Sequence, residues 1–89
     1  IDEVIFKKAK IYEKQKKYEE ASAQYEKVAQ DYSFDILADD ALYMRAILQE
    51  EKLQNKELAQ ELYEKILLDH PDSIYTVDAR KRYRELREE

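Results

Sequence analysis

Eighty-nine residues without a single cysteine or glycine leave room for one small domain and remove whole classes of chemistry. Lacking cysteine, the chain has no disulfide, thiolate zinc site or cysteine nucleophile; lacking glycine, it has no phosphate-cradling loop and no dinucleotide fingerprint. A net charge of −5 argues against a whole-surface nucleic-acid platform, and no apolar run reaches the roughly 20 residues of a membrane span.

Taken in chain order, the apolar spacing is helical nearly throughout. Val4, Ile5, Ala9, Ile11 and Tyr12 form a stripe that predicts a helix over 2–15. Tyr18, Ala21, Tyr25, Val28 and Ala29 predict a second over 18–32. A third, over 36–53, carries Leu42, Ala46, Leu48 and Leu53, with Asp35 as its N-cap. The fourth, over 56–69, carries Leu58, Leu62, Tyr63, Ile66 and Leu67, and Pro71 stops it near Asp69 or His70. Ile74, Tyr75, Ala79, Tyr83 and Leu86 mark the last, over 73–88, with Ser73 as cap. No segment alternates with period two, so no strand is expected. The connections near 15–17 and 54–55 are only a few residues long, and such short links force neighbouring helices to lie antiparallel.

One unit is written more than once. "YEEASAQYEKVAQD" (18–31) repeats in "KELAQELYEKILLD" (56–69), and "VIFKKAKIYEKQ" (4–15) in "ALYMRAILQEEK" (41–52). "IYTVDARKRYRE" (74–85) reads as a third copy of that first helix, with Ala79 in the slot of Ala46. A helical hairpin recurring every 35 residues or so cannot bury its apolar face alone, and stacking the copies makes one continuous core.

The pattern resembles the tetratricopeptide repeat family. Its slots are filled by Ile5, Ala9, Tyr12, Tyr18, Ala21, Tyr25 and Val28 in the first copy, with Ser33 where proline is usual. Leu42, Ala46, Gln49, Ala59, Tyr63, Ile66 and Pro71 fill them in the second, where Gln49 replaces a tyrosine and the hairpin connection holds one extra residue. The resemblance implies an all-α solenoid of about five helices. Its parts are a hairpin over 1–33, a second over 34–71 and a capping helix over 72–89, all in one continuous domain, 1–89. Ala9 would face Ala21 and Ala46 would face Ala59, so the helices approach closely, while Tyr25 and Tyr63 fill the wider space between hairpins. A plain helical bundle is the alternative fold. The chain reads as a C-terminal piece of a longer bacterial array, with the cytoplasm and the cell envelope both open as its compartment.

The resemblance further implies non-catalytic protein–protein binding, with a peptide or partner helix lying in the concave groove of the first, third and fifth helices. Its lining would be Phe6, Lys10 and Glu13, with Lys14 beside them; Tyr43, Ile47 and Glu50; and Arg80 and Arg84, with Thr76 and Tyr83. Phe6, Tyr43 and Ile47 would be the apolar anchors; packed against the cap instead, Tyr43 and Ile47 would be structural. Two other readings stand beside this one: a purely architectural cap of a longer array, and nucleic-acid contact through Arg80, Lys81, Arg82, Arg84 and Arg87, which the overall acidity opposes. The uncovered face of the first helix is expected to be covered either by upstream repeats of the longer array or by a second chain pairing there. His70, between Asp69 and Asp72, lacks a second histidine for a metal site, and no serine lies in a nucleophile motif. No catalytic residue, metal or cofactor is expected. The basic run 7–17, interrupted by Glu13, reads as a solvated face.

Overall fold

A computed structural model describes residues 2–31 and 38–88. It contains α1 (Asp2–Lys14), α2 (Tyr18–Asp31), α3 (Ala38–Glu51), α4 (Lys56–Asp69) and α5 (Thr76–Glu88). The described residues contain no strand. The expected cap Asp35 and the proline slot at Ser33 lie outside the described residues.

The hairpins form because each pair of helices shares a seam of small residues. Ala9 and Ala21 are fully buried in one core cluster, Ala46 and Ala59 in the next. A side chain of one carbon lets two helix axes approach at the short end of the usual 8–10 Å range. Tyr25 and Tyr63, both at 0% exposure, fill the space toward the following helix: Tyr25 with Ala41 and Leu48 of α3, Tyr63 with Ala79 and Leu86 of α5. Consecutive helices therefore pack pairwise along the chain, α1 on α2, α2 on α3, α3 on α4 and α4 on α5. The molecule is a slab with principal extents of 36 × 27 × 16 Å, with α1, α3 and α5 in one layer and α2 and α4 in the other.

Both hairpin turns end in a left-handed residue, Lys16 (φ 62°) and Gln54 (φ 56°), since no glycine is on hand for the position. After α1 the Lys17 amide donates to the Tyr12 carbonyl (2.8 Å) and the Lys16 amide to that of Glu13 (2.9 Å), a Schellman closure. After α3 the extra residue widens the loop, and the Asn55 amide reaches back to Gln49 (2.7 Å). The Asn55 side chain then caps α4 by accepting from the Leu58 amide at 3.2 Å.

α5 begins three residues later than its apolar pattern predicts. Ser73 is spent on a turn: its hydroxyl accepts from the Tyr75 amide (3.1 Å) and donates to Asp39 (2.6 Å), while its carbonyl accepts from Thr76. Three expected stripe residues also face solvent, Val4, Ile11 and Ile74. Val4 and Ile11 lie on a flank of α1 turned away from the buried Ala9, and Ile74 lies in the turn before α5.

The third copy is corrected as well. Matching Ala79 to Ala46 implies that Ala79 packs on a partner helix following it. Instead Ala79 and Leu86 lie on the preceding hairpin, as Ala41 and Leu48 of α3 do, 38 residues earlier. In that register Arg80 and Arg84 occupy the places of Leu42 and Ala46, the α3 residues that pack on α4. Both arginines are exposed. α5 thus packs one apolar stripe on the second hairpin and turns a charged side outward.

Candidate functional site

The odd-numbered helices carry the expected binding face, and α3 at its centre shows how that face is built. Three sides of α3 are committed. Ala41 and Leu48 face the first hairpin; Leu42 and Ala46 face α4; Asp39, Asp40, Tyr43 and Glu50 reach toward α5 or the segment before it. At 100° per residue this leaves Met44 and Ile47, at i and i+3, on the remaining side. Met44 and Ile47 are half-buried, each resting its inner edge on one of the two core clusters.

A clasp recurs in both hairpins. Phe6 sets its ring edge-on against Tyr25 (5.4 Å, 70°), and Tyr25 donates its hydroxyl to Glu13. Tyr43 sets its ring against Tyr63 (6.4 Å, 62°), and Tyr63 donates to Glu50 (2.7 Å). Burial, reinforced by the neighbouring carboxylate, raises the pKa of both Tyr25 and Tyr63 well above the ordinary phenol value.

The α3–α5 seam goes further. Tyr43 stacks on Tyr75 (4.3 Å, 12°) and donates to Asp78, while Tyr75 donates to Asp40. Arg82 bridges Asp78 (2.9 Å), Glu50 (3.1 Å) and Glu51 (3.4 Å). Burial and the Asp78 contact push the Tyr43 hydroxyl up to about 12. For Tyr75 the Asp40 hydrogen bond comes first, then burial, with the same result of about 12. The Tyr43 hydroxyl in turn holds the Asp78 carboxyl below its usual range, against the opposing effect of burial, with Arg82 adding to the effect.

The expected groove residues therefore separate into groups. Phe6, Lys10 and Glu13 share α1, where the Lys10 ammonium lies 5.4 Å from the Phe6 ring centre and Lys14 is exposed. Tyr43 and Glu50 face the same side but are engaged by α4 and α5, and Ile47 stays partly open. Arg80 and Arg84 are not brought to them. Helical phase puts both toward the outer, α4 side of α5, where Tyr83 donates to Glu64 (2.9 Å) beneath Arg87 (5.7 Å). Thr76 is occupied at the start of α5, its hydroxyl donating to the Ser73 carbonyl.

Sequence reasoning missed three participants. Met44 sits three residues before Ile47 and shares its face, a spacing that could have shown it. Arg82 is one arginine within a run, and nothing in the run marks it as the one turned inward. The third is a polar knot between hairpins, where buried Ser22 accepts from Arg45 Nε (3.0 Å) and from the amide of buried Gln49 (2.9 Å), with Arg45 also pairing Glu26 at 3.4 Å. Gln49 fills its slot because Ser22 gives the amide a partner.

Among the described residues no cluster of three or more histidine, aspartate or glutamate side chains is placed to hold a metal, and no helix is long and apolar enough to cross a membrane. A family model described as the tetratricopeptide repeat matches residues 3–34 and 40–73. No curated protein matches the chain.

Proposed function

Because the chain belongs to the tetratricopeptide repeat family, whose members generally mediate protein–protein interaction or scaffolding and are typically non-catalytic, we propose that it is a non-catalytic binding module that takes a peptide or partner helix on the concave side of α1 and α3. The hairpins over 1–33 and 34–71 and the cap over 72–89 would act as one continuous domain. The reading rests on one observation: Met44 and Ile47 form a half-buried apolar strip on a side of α3 that, among the described residues, no helix covers. Phe6 and Lys10 on α1 form the adjoining wall. In this reading Tyr43, Glu13 and Glu50 hold the wall in place, and Ile47, Met44, Phe6 and Lys10 touch the partner.

A second reading, the architectural cap, is favoured by α5. Its Ala79–Leu86 stripe closes the second hairpin, and Arg80, Arg84 and Arg87 stand where a following helix would otherwise pack. The two readings separate in a capture experiment from the source cell's lysate. Wild-type chain is compared with Ile47→Asn and Lys10→Glu, each checked for unchanged helical circular dichroism. Loss of a retained protein in both variants supports the concave face; an identical retained set in all three leaves the cap reading standing.

A further inference from the structure

Helices consecutive in the chain pack on each other, but α2 and α4, neighbours in one layer, do not pack closely together. A cleft of about 350 Å³ opens between the first half of α2, the end of α3 and the turn into α4. Its walls are apolar at Ala23, Leu53 and Leu58, and its floor is the buried polar pair Ser22 and Gln49. Neither Met44 nor Ile47 lines it, so the cleft is separate from the concave strip.

Three acceptors in this cleft are left unused. Gln49 is only 7% exposed, and its side-chain nitrogen donates to the Ser22 hydroxyl (2.9 Å). Its side-chain oxygen has no donor among the described residues and is not sealed off, so it is presented to the cleft that Gln49 lines. Glu26 gives one carboxylate oxygen to Arg45 Nη2 (3.4 Å) and keeps the other. Glu19 stands seven residues earlier on the same side of α2. It is exposed, and among the described residues no cation lies at ion-pair distance from it. Arg45 is the one cation among the lining residues, and Ser22 and Glu26 already hold it. Two carboxylates against one guanidinium leave the lining with an unanswered negative charge.

We propose that this cleft is a binding site for a guanidinium group carried on an aliphatic stem. The fork donates to the Gln49 oxygen and to the free oxygen of Glu26, Glu19 adds its charge at the mouth, and the stem lies along Ala23, Leu53 and Leu58. A planar fork reaches two acceptors at once, which the compact ammonium of a lysine does not match. A neutral donor leaves the charge unanswered, and a phosphate or carboxylate would meet two carboxylates. An arginine side chain of a polypeptide and a free guanidino compound present the same group, and the experiment separates them.

Two probes, n-butylguanidinium and an acetylated, amidated alanine–arginine–alanine tripeptide, are titrated separately into the isotope-labelled 89-residue chain. Shifts are expected at the amides of 19–26 and 53–58 and at the Gln49 side-chain amide, with an affinity that falls as salt is added. Butylurea and the citrulline tripeptide, which keep the shape without the charge, should bind about tenfold more weakly or not at all. Ala23→Leu fills the cleft from an exposed position and should weaken binding about tenfold. Glu19→Gln, also at an exposed position, should weaken it about threefold. Circular dichroism checks that both variants keep their helices. A tripeptide that binds more tightly than butylguanidinium supports the site with a polypeptide arginine as its source; equal or weaker binding supports it with a free guanidino compound. The proposal is overturned by absence of shifts at millimolar probe, by shifts confined to another face, by equal binding of the uncharged analogues, or by indifference to Ala23→Leu.

Discussion

Lys16 and Gln54 occupy equivalent turns and hold the left-handed conformation that costs an ordinary residue about 1 kcal/mol or more. Glycine would relieve that strain but lose more entropy on folding. Lys16→Gly or Gln54→Gly should therefore stabilise the chain by only about 0.5–1 kcal/mol each, seen as a higher urea midpoint at unchanged slope. Ser22 carries the opposite sign. Its hydroxyl is the acceptor for both the Gln49 amide and Arg45 Nε, and Gln49 is buried. Ser22→Ala leaves a buried donor unmatched and should cost about 1–3 kcal/mol, more than a mid-helix serine ordinarily would. Replacing Ser22 and Gln49 together by alanine and leucine should recover part of that loss, because no stranded amide remains.

At the level of the helix, α5 shows how far periodicity carries and where it stops. The helical period and the small-residue slots were legible because Ala9, Ala21, Ala46 and Ala59 are dictated by backbone approach, which leaves a mark at fixed spacing. The clasp tyrosines were legible for the same reason. The face that α5 turns inward was not: its alanine fits two registers, and the packing of Ala79 and Leu86 on the preceding hairpin decides between them. Arg80 and Arg84 were assigned to the groove through that ambiguity, and Arg82, which does join α3, was not. The seam that α5 forms instead makes a sharp prediction. A double-mutant cycle of Tyr43→Leu and Tyr75→Leu should show a coupling of about 0.5–1.5 kcal/mol from the ring stack, beyond the separate losses. Ile74→Ser and Val77→Ser on the same segment should each stay within about 0.5 kcal/mol of wild type, since both side chains face water.

Across the whole molecule, stability is tied to the protonation of four tyrosines, each donating its hydroxyl to a carboxylate: Tyr25 to Glu13, Tyr43 to Asp78, Tyr63 to Glu50 and Tyr75 to Asp40. Folding raises all four from an ordinary value of 10.0, to about 12 for Tyr43 and Tyr75 and further for Tyr25 and Tyr63. Above pH 10 the unfolded chain releases phenolic protons that the folded chain still holds, so folding loses ground with every increment of pH. The contribution is complete below pH 10 and is lost as pH climbs through about 12 for the α3–α5 pair. Asp78 works in the reverse sense. Its folded pKa is lowered, so its contribution is present above the ordinary carboxylate value of 3.8 and disappears as pH falls below it. Both edges bear on the seam where Tyr43, Asp78 and Arg82 meet. A melting-temperature profile should accordingly fall steeply above pH 10, and the slope should shrink in a Tyr43→Phe, Tyr75→Phe double variant, which has two fewer phenols to ionise. Hydrogen exchange at either edge should release the amides of α5 before those of α2 and α3, because α5 is held by its packing on α4 and by the polar seam with α3, and that seam is what the pH change removes. Uniform loss of protection across all five helices would place the linkage in the buried Tyr25 and Tyr63 clasps instead.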